Sequence, residues 1–159
     1  GDTVLLHLVR ANPFFEAVAE QATVVLSVAG DWAYVPSDWK TIGDEDPTLG
    51  IPTTYYGAVQ LTGRASVVDD AELVAGVLSR QMEVLQPGIV VADPYDAHRD
   101  KLAAIRAVSV AIEEVRAKFK YGGNVDVAHR QTVAERLAVR SNPGDEAAAG
   151  HLRRRLTTE

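Results

Sequence analysis

The chain has 159 residues, 47% of them hydrophobic and 24% charged, which is typical of a folded globular protein and not of a disordered one. It contains no cysteine, which excludes disulfides, iron–sulfur clusters, thiolate-ligated or covalently attached haem, and a cysteine nucleophile. The formal net charge of −6 argues against a nucleic-acid-binding surface over the whole chain, because such binding depends on neutralising phosphates. No apolar run approaches the roughly 20 residues that cross a bilayer, and no signal peptide is recognisable. We therefore expect a single cytoplasmic domain over residues 1–159.

The stretch 4–21 predicts a buried strand that runs directly into a helix. Asn12 and Pro13 form a helix start signal, because asparagine can accept a backbone N–H and proline lacks the N–H that would stay unpaired. His7 is a polar residue inside the apolar run. A histidine in such a run is more often a hydrogen-bonded core residue than a metal ligand, and both interpretations stay open at this point.

Five segments of the chain predict strands by their β-branched or alternating composition. They are the run beginning at Val4, Thr23–Val28, Trp32–Val35, Tyr55–Val68 and the stretch from Val108 to Tyr121. A turn at Ala29-Gly30-Asp31 would join the second strand to the third. Residues 36–52 are expected to form a loop, and a loop of this length is often functional or mobile. Gly57 and Gly63 suggest bends in the longest strand.

Helical spacing predicts five helices. They begin at Phe14, at Ala71 (ending at Leu85), at Asp93-Pro94 (ending near Arg106), after Asp126 (ending near Arg140) and after the turn 142–145 (ending near Leu156). Asp69 and Asp70 can cap the second helix, whose apolar stripe predicts a core-facing side. That stripe consists of Leu73, Val74, Val77, Leu78 and Met82. Five strands with short loops and terminal helices favour an α+β fold over a doubly wound sheet.

Phosphate-binding glycine motifs, a nucleophile elbow and a His-Glu-x-x-His zinc motif are all absent from the sequence. Four other segments carry motifs in a fixed order: His-Leu-Val-Arg-Ala-Asn-Pro (7–13), Gly-Asp-Trp-Ala-Tyr-Val-Pro-Ser-Asp-Trp (30–39), Ile-Pro-Thr-Thr-Tyr-Tyr-Gly-Ala-Val (51–59) and Lys-Phe-Lys-Tyr-Gly-Gly-Asn (118–124). They resemble Gly-His-x-x-x-x-Asn-Pro, Gly-Pro-His-Ala-Tyr-Ile-Ser-x-Ser-Trp, Val-Pro-Thr-Trp-Asn-Tyr-x-Ala-Val and Lys-x-Lys-Leu-Ser-Gln-Asn of the PaiB family. These proteins are FMN-binding negative transcriptional regulators with a split β-barrel.

Order and spacing agree along nearly the whole chain, so the resemblance implies a split β-barrel with flanking helices. The helical pair 126–156 would pack on the barrel. The family fold also carries an additional N-terminal helix and strands, and we expect that this part is absent from the sequence. The family is typically homodimeric with its cofactor cleft at the subunit interface, so a homodimer is implied as well. The aromatic residues of 32–39 and 55–56 suit an interface core.

Two motifs depart from the PaiB pattern, since Thr54-Tyr55 replaces Trp-Asn and Tyr121-Gly122-Gly123 replaces Leu-Ser-Gln. The chain looks closer to the piperazate synthases, a branch of the same superfamily. These enzymes use haem b to form the N–N bond of L-piperazate from N5-hydroxy-L-ornithine. A histidine corresponding to His7 is their axial ligand, so the resemblance implies that His7 ligates the iron.

The resemblance further implies which residues hold the cofactor. They are His7, Arg10, Asn12, Trp39, Thr53, Thr54, Lys118, Lys120 and Asn124. Among these, Arg10, Asn12, Lys118 and Lys120 are candidates for the haem propionates. Tyr55 and Tyr56 are candidate catalytic residues, because a tyrosine hydroxyl can donate a proton to a leaving oxygen. Core packing explains the aromatic residues equally well, and a solvated strand end explains the two lysines.

Three function classes stay open at this stage. The first is a haem enzyme that acts on a small molecule, in which neither His129 nor His151 is needed for cofactor binding or turnover. The second is an FMN-binding oxidoreductase or sensor in which Asn12, Lys118 and Lys120 hold the phosphate. The third is a transcriptional regulator, which the acidic balance and the absence of a basic recognition helix disfavour.

Overall fold

The structure, a computed structural model, describes residues 2–156, with only the backbone of Leu156. Four strands form one sheet in the spatial order β1-β4-β3-β2: β1 (Thr3–Val9), β2 (Thr23–Val35), β3 (Thr53–Val68) and β4 (Ile105–Lys120). The helices are α1 (Phe14–Glu20), α2 (Ala71–Leu85), α3 (Pro94–Ala97), α4 (Arg99–Leu102), α5 (Val127–Arg140) and α6 (Asp145–Leu156). Two short 3-10 helices cover Ser37–Lys40 and Pro47–Leu49. The predicted α+β class is confirmed.

The chain divides into two compact units, each built from two stretches. The first unit comprises Gly1–Leu26 and Leu61–Val115, and the second comprises Ser27–Gln60 and Arg116–Glu159. Strands β2, β3 and β4 each contribute residues to both units. The single domain over residues 1–159 stays a prediction.

In the first unit, β1 pairs antiparallel with β4, with Leu6 opposite Val108 and His7 opposite Ala107. Because side chains alternate along a strand, the two faces of β1 meet different neighbours. One face packs with α1 in a cluster that contains Val4, Leu6, Leu8, Phe15, Val18, Val108 and Val110. The other face places Leu5 in a cluster with Val74, Val77, Leu102 and Ala107. His7 lies on this second face and its side chain is exposed. None of the residues of β1 is fully buried, so the prediction of a buried strand is wrong.

Helix α2 spans Ala71–Leu85 as predicted, and the carboxylate of Asp70 caps it by accepting the N–H of Leu73 at 3.0 Å. The buried side chains near its start are Val74, Ala75 and Val77. Leu73, predicted to lie in the core, is 61% exposed. At 3.6 residues per turn, Leu73 lies about a third of a turn away from the middle of the buried stripe.

The turn predicted at Ala29-Gly30-Asp31 is wrong, because Thr23–Val35 is one continuous strand. Gly30 lies against the backbone of Gly57, and a Cβ at Gly30 would stand 3.5 Å from the Gly57 carbonyl oxygen. That distance is an ordinary van der Waals contact, so Gly30 is a strand residue beside Gly57 and does not reverse the chain. As a result, residues 2–156 contain four strands and not the five that were predicted.

The helix predicted from Asp93 to about Arg106 is also wrong. It is replaced by α3 and α4, which are separated at His98, a residue with φ −139° and ψ 31°. Strand β4 begins at Ile105, and Arg106 lies opposite Leu8 in the sheet. Arg106 also donates to Asp69 at 2.6 Å, a contact made from within the strand. The strand pairing therefore overrides a local helical preference.

In the second unit, α5 and α6 follow the predicted boundaries and pack on sheet residues. The buried cluster contains Ala33, Val35, Tyr55, Tyr121, Val133, Leu137, Ala148 and Leu152. Asp145 is 1% exposed and accepts from Nε of Arg140 at 2.7 Å, from Nη2 at 2.6 Å and from the N–H of Asn142 at 2.9 Å. The hydrogen bonds from Arg140 hold the pKa of Asp145 below its ordinary value.

Replacing Gly63 with alanine should destabilise the protein by about 1–3 kcal/mol, the usual cost of overpacking. A Cβ there would overlap the carbonyl oxygen of Ala111 and lie 3.0 Å from Cγ1 of Val110. Gly76 is the matched control, because a Cβ at this helical position has no neighbour within 4 Å. Gly76→Ala should stabilise the protein by about 0.5–1 kcal/mol. Urea unfolding of both variants measures the changes, and equal stability of Gly63→Ala and the parent would contradict the close approach.

Candidate functional site

A cavity of about 700 Å³ lies in the first unit. Its lining comes from β1, α2, α3, α4, the start of β4 and the connection after α2. The lining residues are His7, Leu78, Gln81, Met82, Leu85, Gln86, Val91, Ala92, Pro94, His98, Lys101, Leu102 and Ile105. A cavity of this volume with a mainly apolar lining and few polar groups has the character of a small-molecule or cofactor site.

Helix α2 supplies one wall of the cavity through its second half. Leu78, Gln81, Met82 and Leu85 recur at spacings of three and four residues, so they share one helical face. The first half of the same face is covered by the core of the first unit, where Val74 and Val77 are buried.

His7 is held in the cavity wall by Gln81. The ring Nδ1 lies 2.8 Å from Oε1 of Gln81, and Nε2 of Gln81 donates to the carbonyl oxygen of Leu5 at 3.2 Å. Among residues 2–156, no hydrogen bond or ion pair engages Nε2 of His7. This nitrogen is thus the ring atom that can bind a ligand or a metal.

His98 and Lys101 are the other titratable side chains in the cavity lining. The candidate Arg10 does not line it, because its guanidinium binds Asp69 at 2.9 Å and the carbonyl oxygen of Ala103 at 3.0 Å. Asn12 likewise acts in the helix start, where its side-chain oxygen accepts the N–H of Phe14 at 2.9 Å. Helix α1 begins at Phe14 with Pro13 as its N-cap residue, so the prediction that Asn12 is the cap and Pro13 lies in the first turn is wrong by one residue.

The remaining predicted site residues belong to the second unit. Tyr56 and Lys118 line a cleft of about 360 Å³ that also includes Arg116 and Ser27. Lys120 donates to the Thr53 hydroxyl at 2.6 Å. The structure thus brings together Tyr56 with Lys118, and Thr53 with Lys120.

Four other candidates have different surroundings. Tyr55 is 2% exposed in the core of the second unit, its hydroxyl has no hydrogen-bond partner among residues 2–156, and burial raises its pKa. Trp39 is half-buried, with the guanidinium carbon of Arg140 4.6 Å from its ring centroid. Thr54 is half-buried in β3, and Asn124 is exposed after β4. Their predicted roles in cofactor binding and catalysis stay predictions.

Sequence reasoning missed Gln81, His98 and Lys101 as site residues. Gln81 carried a detectable signal, because it is a polar amide at helical spacing between Leu78 and Leu85. His98 and Lys101 carried none, since the sequence assigned them to one continuous helix. Their place at the cavity depends on the break between α3 and α4.

His129, which we expect not to be needed for cofactor binding, contacts two carboxylates in the second unit. Its Nδ1 lies 2.6 Å from Oδ2 of Asp126, and its Nε2 lies 2.9 Å from Oε2 of Glu45. The bond to Glu45 makes the largest contribution to raising the pKa of His129, and it also lowers the pKa of Glu45. Within residues 2–156, no group of three or more His, Asp or Glu side chains is placed to hold a metal ion.

We expect the stabilising effect of His129 to depend on pH. Because the folded-state pKa is raised, the contribution is complete below the ordinary value of about 6.5 and is lost as pH rises through the folded value. His129→Gln should therefore lower the melting temperature at pH about 6, and the difference from the parent should shrink at pH about 9. Melting temperatures at both pH values measure this effect. A difference that stays constant with pH would contradict it.

None of the helices described between residues 2 and 156 combines the length and the apolar character that a membrane span requires.

Comparison with known proteins matches residues 1–114 to the family described as "Putative FMN-binding domain". The chain is also 22% identical over 158 residues to the protease synthase and sporulation protein PAI 2 of Bacillus subtilis, with 90% of this chain and 68% of that protein covered.

Two solved structures have a similar fold. One is a flavocytochrome of Azotobacter vinelandii, with TM-score 0.53, 22% identity, and 77% of this chain and 52% of that chain covered. The other is the FAD and haem binding protein of Mycobacterium smegmatis, with TM-score 0.56, 21% identity, and 91% of this chain and 63% of that chain covered. The chain thus spans about half to two thirds of the length of these structures.

The family match extends over most of the chain, from β1 through the first part of β4, and so includes the whole lining of the larger cavity. The motif resemblance and the shared α+β fold agree with it. The chain belongs to the PaiB-like family of FMN-binding split-barrel domains.

Proposed function

We propose that this chain is a haem b-dependent piperazate synthase with His7 as the axial ligand. The observation that carries the haem proposal is the orientation of His7, whose Nδ1 is engaged by Gln81 while Nε2 has no partner among residues 2–156. Metal-bound histidines characteristically use their second nitrogen in such a hydrogen bond. The reaction comes from the motif resemblance, which supplies N5-hydroxy-L-ornithine as substrate.

The residues present fit a haem group. A chain without cysteine must ligate haem iron through another donor, and a neutral imidazole on a strand is well suited. The lining of Leu78, Met82, Leu85 and Ile105 suits an apolar macrocycle, and Lys101 supplies a cation for a propionate. The names of the two similar structures, a flavocytochrome and an FAD and haem binding protein, add support.

The proposed reaction is redox-neutral. The α-amine nitrogen of N5-hydroxy-L-ornithine forms a bond to N5, the N–O bond breaks, and the hydroxyl leaves with a proton as water. When bound, haem supplies an iron centre that can polarise the N–O bond. Of this chain's residues, His7 would hold the iron, the apolar lining would exclude water, and the His98 side chain in the same lining is the candidate proton donor to the leaving hydroxyl.

A second candidate function is FMN-dependent, and the cleft of the second unit favours it. Arg116 and Lys118 bring two cationic groups to the same cleft as the Tyr56 ring, which suits a phosphate and an aromatic cofactor. Membership of the FMN-binding family supports this alternative. A PaiB-like regulatory role is less well supported, given the net charge of −6.

We also propose a homodimer for either function. Trp32 is 60% exposed on β2, which lies at one edge of the sheet, and Tyr34 and Val28 are exposed on the same strand. Exposed aromatic residues of this kind are enriched at protein interfaces. Light scattering of the cofactor-loaded protein at micromolar concentration tests the proposal, and a monomer would contradict it.

The absorption spectrum of the purified protein separates haem from flavin. A Soret band supports haem, whereas bands in the blue and near-ultraviolet indicate flavin and overturn the haem proposal. Incubation of the haem-loaded protein with N5-hydroxy-L-ornithine should yield L-piperazate by mass spectrometry. L-Ornithine, which lacks the leaving hydroxyl, is the control substrate and should stay unchanged. A Soret band without cyclisation would retain the haem site and refute the reaction.

A further inference from the structure

The geometry points to Gln81 as a positioning residue that fixes the tautomer and direction of the His7 ring. The role of this arrangement, which is to present Nε2 of His7 to a ligand in the cavity, rests on the proposed function. The arrangement itself follows from hydrogen bonds within the first unit.

The argument begins with the orientation of the Gln81 amide. Its side-chain nitrogen lies 3.2 Å from the carbonyl oxygen of Leu5, which can only accept a hydrogen bond. The NH₂ group must therefore face Leu5, and the amide oxygen must face His7 at 2.8 Å. An amide oxygen only accepts, so Nδ1 of His7 carries the hydrogen. In the neutral ring, the lone pair is then on Nε2.

The sheet pairing explains why the Leu5 carbonyl can anchor Gln81. The backbone N–H of Ile112 donates to the carbonyl oxygen of Asp2, and the backbone N–H of Arg10 donates to the carbonyl oxygen of Ala104. The even-numbered residues of this segment therefore form the hydrogen-bonded pairs with β4. In an antiparallel ladder, the backbone groups of the intervening residues point away from the partner. Leu5 and His7 are such residues, and β1 lies at the edge of the sheet. Gln81 thus satisfies an edge carbonyl and a ring N–H together.

This double contact restricts the ring in two ways. Leu5 and His7 lie two positions apart, on the same face of β1, and one side chain from α2 engages both. A change to the Nε2–H tautomer would place the Nδ1 lone pair against the amide oxygen. Rotation of the amide would in turn place its oxygen against the Leu5 carbonyl. Each alternative sets two acceptors against each other, so the observed arrangement is favoured.

Histidine NMR on the cofactor-free full chain tests the inference independently of haem. Two-bond ¹H–¹⁵N correlations, recorded about two pH units above the ordinary histidine pKa of about 6.5, report the neutral tautomer. His7 should be predominantly the Nδ1–H form in the parent. Gln81→Leu should shift it to a mixture rich in the Nε2–H form. Gln81→Glu, which keeps an acceptor, should retain the Nδ1–H form.

Gln86→Leu is the matched control, because Gln86 lines the same cavity but makes no hydrogen bond to His7. It should leave the tautomer unchanged. An Nε2–H tautomer in the parent, or an unchanged Nδ1–H tautomer in Gln81→Leu, would overturn the inference. If Gln81 merely covers the sheet edge, Gln81→Glu and Gln81→Leu should have the same His7 signals, which would also overturn it.

Haemin titration provides the second readout. Gln81→Leu should weaken haemin binding by about 10–100-fold, the usual effect of removing a hydrogen bond to a metal-bound histidine. Gln131→Leu, at an exposed position of α5 outside the cavity lining, should leave haemin binding unchanged. The expected tautomer changes without any haemin binding would support the positioning role and refute the haem proposal. If haemin binds to a protein whose cofactor-free His7 is the Nε2–H tautomer, the positioning role is refuted and the haem proposal is not.

Discussion

Replacing His7 with alanine should remove the haem spectrum of the protein and abolish cyclisation of N5-hydroxy-L-ornithine. The substitution removes the imidazole nitrogen that the cavity presents, and no other histidine among residues 2–156 donates the same supporting hydrogen bond to the Gln81 amide oxygen. Haemin titration and a piperazate assay measure the two effects. A full Soret band and parental turnover in His7→Ala would refute the proposal.

The fold should survive this substitution. A core histidine replaced by alanine would cost about 1–3 kcal/mol through the cavity left behind. In the structure, however, His7 is exposed, so we expect less than about 1 kcal/mol. His151→Ala is the control, since His151 stacks on Tyr121 in the second unit with ring centroids 4.1 Å apart. The His151→Ala variant should keep the haem spectrum. Loss of the spectrum in this variant would mean that His151, and not His7, is the iron ligand.

Replacing Asp145 with alanine should destabilise the protein by about 1–3 kcal/mol, because it removes three hydrogen bonds from a buried carboxylate. The Arg140 side chain that is left behind is partly exposed and keeps its hydrogen bond to the Tyr34 carbonyl oxygen. Asp145 accepts two hydrogen bonds from Arg140 and one from the N–H of Asn142, while fully buried at the start of α6. Urea unfolding measures the loss. Glu83→Ala is the control, because Glu83 pairs with Arg80 at an exposed site and should contribute at most about 1 kcal/mol.

The pH dependence of this pair provides a further check. Because the pKa of Asp145 is lowered in the folded state, its contribution is present above the ordinary value of about 3.9 and is lost as pH falls through the folded value. The parent should therefore lose more stability than Asp145→Ala on acidification. Equal losses in the two proteins would contradict a charged buried Asp145.

The helices could be predicted where capping and periodicity are local properties. The boundaries of α2 and α5 follow from Asp70 and Asp126, whose carboxylates accept the first N–H groups as expected. The class of fold also followed from the sequence. These features depend on residues a few positions apart, which the sequence displays directly.

Features that depend on distant partners could not be predicted in the same way. Gly30 suggested a turn, but it lies within the continuous strand Thr23–Val35, beside Gly57. Arg10 suggested a cofactor ligand, but Asp69, far along the chain, binds its guanidinium. Similarly, His7 could be proposed from its motif, whereas the contact with Gln81 required the packing of α2 on β1.

The larger cavity has a lining that is unusual in its distribution along the chain. All lining residues except His7 and Ile105 come from the continuous stretch 78–102, which follows the first half of α2 and precedes β4. Mutations in this stretch can therefore alter the shape and polarity of the cavity while the strand pairing and the histidine stay unchanged. We therefore expect that exchanging residues 78–102 as one segment would change what the cavity accepts while leaving His7 and the pairing of β1 with β4 in place.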